Sequence, residues 1–150
     1  MQIDHIAIWT DKLEELKDFY VKYFGGTAGS KYKNEKTQFE SYFLTFGQGA
    51  RIELMHKPFI PGNINDEEVW QHIGIIHIAF HAGSAVEVEN KAKQLEKDGY
   101  KTSDSALNRG EYFHQKVLCP GQGSELDNTR LIAAYFPMLL NETSDIIASR

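Results

Sequence analysis

Three side chains in this 150-residue chain have the chemistry to hold a divalent cation on strand-like stretches: His5, Glu53 and His77. The two imidazoles occupy the same place in a repeated run, Asp4-His5-Ile6-Ala7-Ile8-Trp9 and Ile76-His77-Ile78-Ala79-Phe80-His81, 72 positions apart. Both runs are apolar and rich in β-branched and aromatic residues, so each reads as a strand with one polar side chain aimed sideways. The two-residue period of a strand sets His5, Ala7 and Trp9 opposite Ile6 and Ile8. It likewise sets Arg51, Glu53 and Met55 opposite Ile52 and Leu54. A carboxylate flanked by Ile52 and Leu54 needs a reason, and a shared metal supplies one. Imidazole and carboxylate ligands suit Zn²⁺, Ni²⁺, Fe²⁺ or Mn²⁺, and three protein ligands leave positions open for water or a chelating substrate. A lone strand histidine is more often an ordinary core or edge residue. The symmetry of this pair sets it apart.

The elements that must position these groups follow from periodicity. A first strand over 3–9 leads into a helix that Thr10 or Asp11 can cap, with Leu13, Leu16, Phe19, Tyr20 and Phe24 on its apolar side. Gly25-Gly26 closes that helix. After a polar stretch, Phe39 to Phe46 forms a strand, Gly47-Gln48-Gly49 a tight turn, and Ala50 to His56 the hairpin partner. In the second half, Ile73 to Phe80 is the repeat strand. A helix follows, with Ser84 as cap, Glu87 three residues on, and Val86, Val88, Ala92 and Leu95 as its apolar side, stopped by Gly99. Strands over Glu111–Leu118 and Leu131–Phe136 complete the half, and a second GQG stands at 121–123. A β-then-α unit recurring at a fixed offset marks a duplication.

The apolar and charged fractions, 41% and 25%, are those of a folded globular chain. A formal net charge of -5 argues against nucleic acid or an anionic membrane as partner. The single cysteine, Cys119, can form no internal disulfide, which fits a reducing compartment. No signal peptide is expected, because Met1 runs at once into strand-like sequence, and no apolar run nears the roughly 20 residues that cross a bilayer. The expected location is therefore cytoplasmic. GQG lacks the Lys-Ser/Thr of a phosphate-binding loop, and no Gly-x-Ser-x-Gly elbow occurs.

The strand histidine, the helix with Leu16, Asp18-Phe19-Tyr20 and Phe24-Gly25, then Ser41-Tyr42-Phe43-Leu44 and Arg51-Ile52-Glu53-Leu54, together resemble the vicinal oxygen chelate superfamily. The closer likeness is to small bacterial glyoxalase I-like proteins of the glyoxalase, bleomycin-resistance and dioxygenase group, and it covers roughly residues 1 to 118. The resemblance implies an α+β fold of two βαβββ modules forming an incomplete mixed β-barrel, with the helices packed outside. One such domain would span 1–136, made of modules 1–57 and 73–136 joined by a linker over 58–72, with a C-terminal tail over 137–150.

The resemblance further implies metal ligands at His5, Glu53 and His77, with Glu53 also moving the proton as general base. A fourth ligand, a glutamate on the last strand of the second module, is not where the family pattern puts it. Cys119-Pro120 replaces the expected Asp-Pro, and matching Arg130 to Arg51 puts Ile132 at the glutamate position. Glu125 is the substitute candidate. Trp9, Arg51, His81 and Tyr112 are expected to line the substrate pocket, with His114 a weaker contact. His56 and His72 read as surface residues, and Trp70, Phe39 and Phe46 as core or interface.

The implied function is that of a metal-dependent, lactoylglutathione lyase-like enzyme acting on a small molecule with adjacent oxygens. A non-catalytic, bleomycin-resistance-type binding protein is the alternative, and an extradiol dioxygenase a more distant one. A homodimer is expected, since open sheet edges must be covered or paired.

Overall fold

The computed structural model describes residues 1–61, 77–100, 102, 107–109, 112–118 and 131–137. Glu125, Trp70, His72, most of the 58–72 linker and the tail after 137 lie outside them. The described elements fall into two units. The first holds β1 (His5–Trp9), α1 (Leu13–Phe24), β2 (Thr27–Ala28), β3 (Tyr32–Asn34), β4 (Phe39–Thr45) and β5 (Arg51–His56). The second holds β6 (His77–His81), α2 (Ala85–Lys97), β7 (Leu107–Arg109), β8 (Tyr112–Leu118) and β9 (Leu131–Pro137). The class is α+β, as the sequence implies.

In the first unit the sheet order is β1-β5-β4-β2, with β3 also beside β4. β1 runs parallel to β5, and β4 antiparallel to it. β2 and β3 both pair with β4, at Thr27↔Thr45 and Tyr32↔Ser41. They are therefore two pieces of one interrupted strand, where the sequence reads only a polar stretch. One face of the sheet carries Ile8, Leu44, Ile52 and Leu54, all buried, toward the buried helix side chains Leu13, Leu16, Phe19, Tyr20 and Tyr23. Tyr23 replaces Phe24 in that stripe. At 3.6 residues per turn, Phe24 stands roughly 75° from the stripe's centre, and it is half-buried.

The start of α1 corrects the expected cap. The N-cap residue is Lys12, without a side-chain cap bond. Thr10 is drawn back instead: its Oγ1 accepts from Lys12 N at 3.0 Å, and its own N–H donates to Met55 O at 2.9 Å. His56 is not a surface residue either. It is half-buried, and its Nδ1 lies 3.0 Å from Thr10 O, tying the end of β5 to the β1–α1 junction. The helix closes at Gly25, whose φ of 68° is left-handed. Next to it, a Cβ on Gly26 would come within 2.9 Å of the Phe46 ring.

An ionic network ties α1 to the sheet. Glu14 accepts from Tyr42 Oη at 3.1 Å and pairs with Lys17 and Lys31, each at 3.0 Å, while Lys31 also reaches Glu40 at 2.6 Å. Burial pushes the Glu14 carboxyl up, but hydrogen bonds from Lys17, Lys31 and Tyr42 outweigh it and bring the pKa from 4.5 to about 2. A folded-state value below the unfolded one stabilises the fold above pH 4.5 and is lost as pH falls from 4.5 toward about 2. Glu14→Gln is expected to flatten acid unfolding in that window. Denaturant midpoints measured at pH 2.5, 4 and 6 check this, and because Glu14 is half exposed, added salt should shrink the difference.

In the second unit the order is β6-β9-β8-β7, with β6 parallel to β9 and β8 antiparallel to it. The three-residue β7 has no counterpart in the sequence reading. Ser84 caps α2 as expected, its Oγ accepting from Glu87 N at 3.2 Å and lying 3.1 Å from Glu87 Oε2. Val88, Ala92 and Leu95 are buried, but Val86 is 65% exposed and drops out of the expected apolar side. At 3.6 residues per turn it stands roughly 150° round the helix from the stripe of Val88, Ala92 and Leu95.

Candidate metal-binding site

The face of the first sheet opposite α1 is built in rows, because pairing in register lines up side chains across strands. His5 pairs with Arg51 in one row, and Ala7 with Glu53 and Phe43 in the next. The third row is Trp9, Met55, Ser41 and Tyr32. His5 and Glu53, in adjacent rows, converge: His5 Nε2 stands 3.8 Å from Glu53 Oε2, with the glutamate side chain 16% exposed. At this length there is no hydrogen bond. Neighbouring donors bonded to one ion at about 2.1 Å each stand roughly 3.0–3.4 Å apart, so a side-chain shift of a few tenths of an ångström would bring the pair onto a shared divalent ion.

Asp4, to which the sequence reading gave no role, fixes this histidine. Its Oδ2 meets His5 Nδ1 at 2.7 Å and Arg51 Nη2 at 2.5 Å. Those two hydrogen bonds hold the Asp4 carboxyl below its ordinary range. An ionised carboxylate only accepts, so the His5 bond takes up Nδ1–H and leaves Nε2 as the ring nitrogen on the Glu53 side. A carboxylate behind a ligating imidazole orients the ring and raises its basicity. Phe43 completes the brace, meeting His5 edge-on at 5.3 Å and lying 4.5 Å beneath the Arg51 guanidinium. Arg51, expected as a pocket residue, is thus bound to Asp4 and Phe43, beside a cleft of about 510 Å³ lined by Gln2, Asp4, Gly47, Gln48 and Arg51. The signal for Asp4 was in the sequence: a carboxylate directly preceding a candidate ligand.

In the second unit His77 opens β6 as His5 opens β1, pairing with Leu131 as His5 pairs with Arg51. Ala79 pairs with Ala133, so Ala133 takes the Glu53 position. This corrects the match of Arg130 to Arg51, which would put Ile132 there. Sheet pairing sets the register, and 12 residues separate β8 from β9 against five between β4 and β5. His81, facing Tyr135, stands where Trp9 stands in the first unit. Tyr112 and His114 lie on β8, paired with Pro137 and Tyr135. The side chains of His77, Tyr112 and His114 fall outside the described residues. Among the described residues, no cluster of three or more His, Cys, Asp or Glu could hold a metal ion. No helix among them is long and apolar enough to cross a membrane.

The family model of the Glyoxalase/Bleomycin resistance protein/Dioxygenase superfamily matches residues 2–114. The chain belongs to this superfamily. Solved structures with the superfamily's fold cover most of it. A glyoxylase/bleomycin resistance protein/dioxygenase domain from Frankia sp. EAN1pec has a TM-score of 0.71 at 12% identity, covering 91% of this chain and 98% of that one. Glyoxalase I of Leishmania major, described as trypanothione-dependent, has a TM-score of 0.68 at 17% identity, covering 91% and 86%. A glyoxalase family protein from Bacillus cereus has a TM-score of 0.69 at 16% identity, covering 93% and 95%. At these identities the likeness establishes the fold. No curated protein matches the chain by sequence.

Proposed function

We propose that this superfamily member is a metal-dependent enzyme of the glyoxalase I type, a lactoylglutathione lyase-like catalyst acting on a small molecule with adjacent oxygens. The observation that carries the reading is the convergence of His5 Nε2 and Glu53 Oε2 at 3.8 Å, with Asp4 on the far side of the imidazole. His77, at the equivalent position of β6, is the third ligand that the family resemblance implies. His5, Glu53 and His77 would hold a divalent ion, Zn, Ni, Fe or Mn, which would supply Lewis acidity to the substrate's adjacent oxygens. The Glu53 carboxylate takes the proton from the carbon beside the carbonyl and returns it to the neighbouring carbon. Asp4 keeps His5 in the ligating tautomer, and Arg51 serves by holding Asp4. Trp9 and His81 belong to the pocket wall.

Elemental analysis of untagged protein tests this. About one divalent ion per site is expected in the wild type and none in the His5→Ala, His77→Ala double variant. Retention of stoichiometric metal in the double variant overturns the assignment. Asp4→Asn is expected to keep the site but weaken it by about 10- to 100-fold, the usual cost of losing an orienting partner. Competition with a chromophoric chelator measures that loss.

One observation favours a second reading, a metal-free binding protein of the bleomycin-resistance type: Ala133 puts a methyl group where the first unit has a carboxylate. A metal-free protein whose melting temperature rises with a small ligand would support it.

A further inference from the structure

The row of side chains beyond Glu53 has a composition of its own. Trp9, Met55, Ser41 and Tyr32 are paired in register across β1, β5, β4 and β3, and not one carries a charge. Phe39 fills the space beside them, 5.9 Å from Trp9 at 85° and 6.1 Å from Tyr32 at 58°. The three rings are therefore not coplanar. Phe39 stands between two inclined aromatic walls, with Trp9 39% and Tyr32 56% exposed. Leaving that much aromatic surface in water costs burial energy that a ligand would recover.

The same face changes character along its strands. The row with His5 and Arg51 is charged, the row with Glu53 holds the candidate ligand carboxylate, and the aromatic row follows about 7 Å further on, two residues along a strand. Alternation keeps all three on one side of the sheet. A molecule whose adjacent oxygens meet His5 and Glu53 lies one row from these aromatic side chains.

The geometry points to a substrate that is an aryl compound: a planar aromatic group attached next to the two chelating oxygens, held between Trp9, Phe39 and Tyr32. This rests on the metal-chelating reading above and adds the substrate class to it. Trp9 and Tyr32 are then specificity-determining residues. Rings at inclined angles favour edge-to-face contact with a third flat ring, and an aliphatic group of equal volume lacks the quadrupole that this contact uses. Met55, in the same row, adds a polarisable sulfur to the floor.

Two hydroxamates with the same chelating oxygens and different tails provide the test, acetohydroxamate and 2-naphthohydroxamate, titrated calorimetrically into Ni²⁺-loaded full-length protein. The naphthyl compound is expected to bind at least about tenfold more tightly, the contribution of a well-seated aromatic contact with its buried area. That ratio should collapse to within about twofold in Trp9→Ala. Tyr32→Ala, on an exposed three-residue strand, gives the same comparison should the tryptophan variant fold poorly. Equal affinities in the wild type, or a ratio that survives both substitutions, overturn the inference while leaving the metal reading intact. If neither hydroxamate binds, the metal reading fails, and 2-naphthol with the metal-free protein decides the aromatic row alone. A shift of the Trp9 indole signal in the NMR spectrum upholds the row as an aryl site, and an unmoved signal overturns it.

Discussion

Glu53→Gln is expected to weaken divalent-ion binding by more than about 100-fold, beyond the cost of losing an orienting partner, because a neutral amide replaces a charged ligand. The amide keeps the size of the carboxylate, and Glu53 faces away from the helix, between Ala7 and Phe43 across the sheet. The metal-free variant should therefore melt within about 2 °C of wild type, the range of a substitution that leaves the core untouched. Turnover in the loaded enzyme should fall by roughly 10²- to 10⁴-fold, the contribution of a positioned general base. Chelator competition and thermal melting on the same preparations separate loss of the site from loss of the fold. Unchanged ion affinity would remove Glu53 from the ligand set.

Leu54→Ala, one residue along and on the opposite face, should do the reverse. Leu54 is 0% exposed and paired with Ile8 and Tyr42 on its two sides. Truncation leaves a cavity in a close-packed layer and is expected to cost about 2–5 kcal/mol. For a chain of this size that lowers the melting temperature by roughly 6–15 °C. Urea unfolding should show a lower midpoint with an unchanged slope, which separates lost packing from a changed denatured state. A loss under about 1 kcal/mol would mean that this face of β5 is not close-packed against α1.

The parts of the fold legible in the sequence were those where one face is buried. β1, β4, β5, α1 and α2 announced themselves through periods of two or 3.6, and the split of β5 into Ile52 and Leu54 against Arg51, Glu53 and Met55 followed from alternation alone. β2, β3 and β7 were not legible. They are two or three residues long and exist because a neighbouring strand offers its backbone, which local composition does not record. Thr10 looked like a helix cap, but Met55 O claims its N–H and holds it in the strand-to-helix corner. For the candidate site, the histidine repeat pointed to His5, but the role of Asp4 depends on Arg51, 47 residues away in sequence. The position equivalent to Glu53 could not be found by matching arginines, because the second hairpin has a longer connection than the first.

The parallel pairing of β1 with β5 also sets an order of assembly. Leu44 meets Ile52 across a hairpin closed by a few residues, whereas His5 must find Arg51 after 46. Closing the longer loop costs about 1.6 kcal/mol more in chain entropy, and contacts of high sequence separation form late. During synthesis the first strand emerges first, yet it has no partner until β5 has followed it out. His5 and Glu53 thus come together in the last step of this unit's folding, and an ion that needs both selects only chains whose first strand has docked.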